Sequence, residues 1–62
     1  MNIQELITKR ATAWEAAKAF LDSHRNTDGL LSSEDGATYD RMEKEITDYT
    51  NEIERLNRQA VI

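Results

Sequence analysis

The chain predicts an all-α fold, an antiparallel two-helix hairpin of coiled-coil character that associates into a larger helical bundle. Three observations carry this. Two long segments with helically spaced apolar residues flank one cluster of turn formers, Arg25-Asn26-Thr27-Asp28-Gly29. Proline is absent and glycine occurs only twice in 62 residues, so little interrupts either segment. A short connection makes consecutive helices antiparallel neighbours. The whole of 1–62 is one domain, with helices over about 2–25 and 33–59 and a loop over about 26–32.

In the first segment the apolar residues fall at Ile3, Ile7, Trp14, Ala17 and Leu21, with Arg10 and His24 in the remaining slots of the same four-three spacing. A second row, Leu6, Ala13 and Phe20, recurs every seven residues beside it. The apolar face is therefore wide, as suits a bundle rather than a two-stranded seam.

The second segment is more regular. Tyr39, Met42, Ile46, Tyr49, Ile53, Leu56 and Ala60 alternate steps of three and four over three heptads, a coiled-coil signature. Its seam is narrow, and the rest of the surface is polar.

The ends of both helices carry matching signals. Ser32 and Asp35 have capping-box spacing, with Glu34, Asp35 and Asp40 near the positive end of the second helix. Lys18, His24 and Arg25 close the first helix, and Arg55 and Arg58 the second, as the macrodipole favours. Glu5 with Lys9, Asp40 with Lys44, and Glu54 with Arg58 are acid-before-base pairs one turn apart. Gly36 falls in the first turn of the second helix, where glycine costs about 1 kcal/mol relative to alanine.

Matching the two periodicities pairs residues whose numbers sum to 59 or 60: Leu21 with Tyr39, Ala17 with Met42, Trp14 with Ile46, Arg10 with Tyr49, Ile7 with Ile53, and Ile3 with Leu56. Arg10 then lies against an aromatic face, with Glu45 or Glu52 in reach. Leu6 and Phe20 have no second stripe opposite them and are the expected anchors for self-association. At about 1.5 Å per residue the second helix outruns the first, so Ala60, Val61 and Ile62 form an apolar overhang, the expectation being a chain that continues or docks there.

Composition narrows the chemistry. Eight Lys and Arg against twelve Asp and Glu give a net charge of −4, the wrong sign for binding nucleic acid. With no cysteine there is no disulfide, thiol nucleophile or cysteine zinc site. No apolar run approaches the roughly 20 residues of a membrane span, and an acidic Met-Asn-Ile-Gln-Glu start is unlike a secretory signal.

The loop places His24, Asn26, Asp28, Gly29, Leu31, Ser32 and Asp35 at positions used by an EF-hand. Histidine in the first position and aspartate in the last break the calcium pattern. The simpler reading is a polar turn, with Asn26 and Asp28 making side-chain turns and Gly29 supplying a positive φ. His24 beside Ser23 lacks an orienting third residue and an oxyanion hole, so no catalytic site is expected, nor any cofactor, metal or small-molecule substrate.

Four stretches, Glu5-Leu6-Ile7-Thr8-Lys9-Arg10, Leu30-Leu31-Ser32-Ser33-Glu34-Asp35, Tyr39-Asp40-Arg41-Met42-Glu43 and Glu52-Ile53-Glu54-Arg55-Leu56, together resemble the start of the major capsid proteins of tailed bacteriophages of the Hong Kong 97 type. The resemblance spans nearly the whole chain, and the matching region of that family is its N-terminal delta domain. It implies a non-enzymatic, scaffold-like coiled-coil module that guides procapsid assembly in the host cytoplasm, inside the assembling procapsid, and is later removed by a maturation protease. Its partners would be further copies of itself and other capsid subunits, not nucleic acid or membrane. The residues transferred are the seam, Ile46, Ile53 and Leu56, with Arg10 and Arg55 as polar contacts between helices or subunits. The full set of expected interaction residues is Leu6, Trp14, Phe20, Met42, Ile46, Tyr49, Ile53, Leu56, Arg10 and Arg55. The alternative is a free-standing coiled-coil adaptor that binds another helix in its apolar groove.

Overall fold

The computed structural model describes residues 2–61. Two α-helices, α1 (Ile3–His24) and α2 (Ser33–Val61), pack against each other as an all-α hairpin with no strand among the described residues. Asn2 begins α1: its side-chain oxygen accepts the Glu5 backbone N–H at 2.9 Å, satisfying a donor that the first turn leaves free. Asn2 was not singled out in the sequence. Ser32 does the same for α2, its hydroxyl oxygen accepting the Asp35 N–H at 3.1 Å.

Between the helices Asn26 organises the turn. Its side-chain oxygen accepts the N–H groups of Asp28 (2.9 Å) and Leu30 (3.0 Å), and its backbone N–H donates to the Leu30 carbonyl at 2.9 Å. Gly29 completes the reversal at φ 78°, a left-handed conformation that costs other residues about 1–2 kcal/mol. The Arg25 guanidinium donates to the Gly29 carbonyl at 2.8 Å and braces the turn against the end of α1. Asp28 contributes only its backbone, so the side-chain turn belongs to Asn26 alone.

The pair of helices is a rod of 50 × 16 × 15 Å. Its core is thin: among the described residues only Leu6, Ala17 and Ile53 are buried. Leu6 lies inside the hairpin at 5% exposure, so it is not open for docking as its unmatched row implied. Phe20, in the same row, is half-buried and stacks on His24 with ring centroids 4.0 Å apart. Trp14, read from the sequence as a seam residue, keeps 44% of its surface exposed. The physical reason is size. The small side chain of Ala17 can be enclosed completely between the helices, whereas an indole is left partly at the flank.

The exposed ion pairs also differ from those expected. Lys18–Glu15 (3.0 Å), Lys44–Asp48 (2.9 Å) and Arg55–Glu52 (2.7 Å) close, in place of pairs from Glu5, Asp40 and Glu54. Such solvated pairs contribute only tenths of a kcal/mol each on a helix, about 0.2–0.5, so small rotamer preferences decide which ones form. Of the expected apolar overhang, Ala60 is exposed on the last turn of α2; Ile62 and the side chain of Val61 lie outside the described residues.

Candidate functional site

The candidate site is the seam between the helices and the apolar surface beside it. From α2, Ile53 is buried, while Tyr39, Met42, Ile46, Tyr49 and Leu56 are half-buried. Their three-four spacing holds them on one side of the helix, which faces α1. From α1, Leu6 and Ala17 are buried, and Ile3, Ile7, Ala13, Phe20 and Leu21 are half-buried. Both apolar rows of α1 thus contribute, each with one buried member, Ala17 in the first and Leu6 in the second.

Arg10 is the polar member of this surface. Its guanidinium Nη1 donates to Thr50 Oγ1 at 3.3 Å, a cross-helix link between residues whose numbers sum to 60. Thr50 was not singled out in the sequence. Only the register, together with the half-buried place of Arg10, could have found it. Glu52, a possible partner for Arg10, is engaged by Arg55 on its own helix at 2.7 Å. Arg55 therefore makes a local, exposed pair rather than a bridge between helices. The cation beside an aromatic ring is Lys18, whose ammonium lies 5.8 Å from the Trp14 ring and also pairs with Glu15.

Two other places hold chemistry-bearing groups. At the end of α1, Ser23 Oγ lies 2.8 Å from His24 Nδ1, but the Ser23 hydroxyl donates to the Phe20 carbonyl at 3.2 Å and His24 Nδ1 lies 2.9 Å from that same carbonyl. These groups close the last turn of the helix, where carbonyls lack intrahelical partners. Along the other flank of the seam, Thr12, Ala13 and Ala16 face Met42, Glu45 and Tyr49 across an open groove. Among the described residues no group of three or more His, Asp or Glu is gathered as metal ligands, and no helix is long and apolar enough to cross a membrane.

Fold and seam together define the class: an α-helical hairpin whose most distinctive surface is a helix face. No family model, curated protein or solved structure matches the chain.

Proposed function

We propose that this hairpin is a non-enzymatic assembly module that works by helix-to-helix association, as the scaffold-like delta domain of a phage major capsid protein guiding procapsid formation. The observation that carries the reading is the thinness of the core. A chain of 62 residues buries only Leu6, Ala17 and Ile53 among its described residues, while five further seam residues of α2 remain half-covered. Domains of this size often gain stability from a disulfide, a metal or association; this chain has no cysteine, and association is the route its half-covered seam supports. The acidic balance fits a module that contacts protein rather than DNA. Weak contacts of this kind become effective when many copies are held on one shell.

Two measurements test it. Sedimentation equilibrium from micromolar to millimolar concentration should show reversible association; a monomer throughout overturns the assembly reading. The reading frame of the parent gene should encode a shell-forming domain beyond Ile62; a stop codon or membrane segment there favours the adaptor instead.

A further inference from the structure

We infer that the occupant of the uncovered flank is a second copy of this chain, docked along the row Ile7, Trp14 and Leu21 of α1 with Trp14 as the anchor. This rests on the association proposed above and assigns it a face. The face is defined by exposure: among the described residues Trp14 is the large apolar side chain of the helices left most open, at 44%, with Ile7 and Leu21 half-buried one heptad to either side. Tryptophan is among the side chains enriched at interface hot spots.

Area argues for a partner. The chain exposes 4722 Å², against about 4,100 Å² for a compact monomer of its 7.1 kDa mass. Its radius of gyration is 14.7 Å, against about 10.6 Å for a compact chain of this length. The surplus of about 600 Å² is of the order of the roughly 800 Å² that each partner gives to a stable interface. A rod 50 Å long and 16 Å wide can give up that much only along its side.

Symmetry argues that the partner is the same chain. Ile7 and Leu21 are equidistant from Trp14, so an antiparallel two-fold pairing of α1 helices sets indole against indole and Ile7 against Leu21 of the second copy, with Arg10 opposite Lys18 between them. These two cations are each engaged within their own hairpin. Lys18 pairs with Glu15 at 3.0 Å beside the indole, and the Arg10 guanidinium donates to Thr50 on α2.

Trp14 is the only tryptophan, so its fluorescence reports this face directly. In a concentration series with parallel sedimentation, the emission should shift to shorter wavelength as dimer forms. Trp14→Ala should weaken association by about thirtyfold, the loss typical of a hot-spot side chain, with the helical circular dichroism of the monomer retained. Ala19→Gln, on the exposed side of α1, should leave association unchanged. Association that leaves the Trp14 emission unmoved and is insensitive to Trp14→Ala overturns this face while preserving the assembly reading. A monomer at every concentration overturns both and leaves a different helix as the occupant.

Discussion

Arg10 and Thr50 stand 40 positions apart in the chain and meet across the hairpin, guanidinium Nη1 to hydroxyl Oγ1 at 3.3 Å. The link favours the observed register, because a shift of one residue turns the threonine away from the guanidinium. Thr50→Val keeps the shape and removes the acceptor, while Arg10, only half-buried, can turn to water. The expected loss is about 0.5–1 kcal/mol. Arg10→Ala should cost more than Thr50→Val, since it also strips the aliphatic stem from the seam. A double-mutant cycle in thermal melts checks whether the two are coupled.

Ile53 should be the most sensitive position of α2. It is 6% exposed, and Ile53→Ala should cost about 2–5 kcal/mol, comparable with the whole stability of about 3–5 kcal/mol that a core this small supplies. Ile53→Asp should abolish the hairpin, because the carboxylate would lack a buried partner. Ile46→Asp, at a half-buried site, should be milder. Circular dichroism at low protein concentration ranks the three; equal effects at 46 and 53 would contradict the difference in burial.

Ala17 is 0% exposed, so there is no room for a larger side chain without moving the helices apart. Ala17→Leu should cost about 1–3 kcal/mol through overpacking. The same change at Ala19, which is exposed, should stay within about 0.5 kcal/mol of the parent. Urea unfolding of the two variants makes the comparison.

The two glycines should respond with opposite sign. Gly29 holds φ 78°, so Gly29→Ala should lose about 1–2 kcal/mol although nothing lies within 4 Å of the added methyl group. Gly36 is helical, has equally open space, and its N–H already donates to the Ser32 carbonyl at 2.8 Å. Gly36→Ala should gain up to about 1 kcal/mol. Melting temperatures displaced in the same direction would refute the backbone argument.

Much of the architecture was legible because α2 carries a single narrow stripe. With Tyr39, Met42, Ile46, Tyr49, Ile53 and Leu56 alternating by three and four, only one side of that helix can be covered. On α1 the first row, Ile3, Ile7, Trp14, Ala17 and Leu21, reads as the seam and Leu6, Ala13 and Phe20 as unmatched, yet the structure buries one member of each row, Ala17 and Leu6. Spacing alone does not show that α2 sits between the two rows, nor that the bulky indole of Trp14 is left partly open while the methyl group of Ala17 is enclosed. The ion pairs were unreadable for a different reason: solvated carboxylates and ammonium groups choose among several neighbours at almost equal free energy.

The Asn26–Leu30 turn has a kinetic consequence. It is closed by its own hydrogen bonds and lies midway between the segments that pair, so the cross-helix contacts nest around it like the teeth of a zip. Contacts beside the turn form over the shortest loops, and each one shortens the loop that the next must close. Folding is therefore expected to begin there and travel toward the open ends, with Phe20 and Tyr39 engaged before Leu6 and Ile53, on the microsecond-to-millisecond scale of helical proteins rich in local contacts.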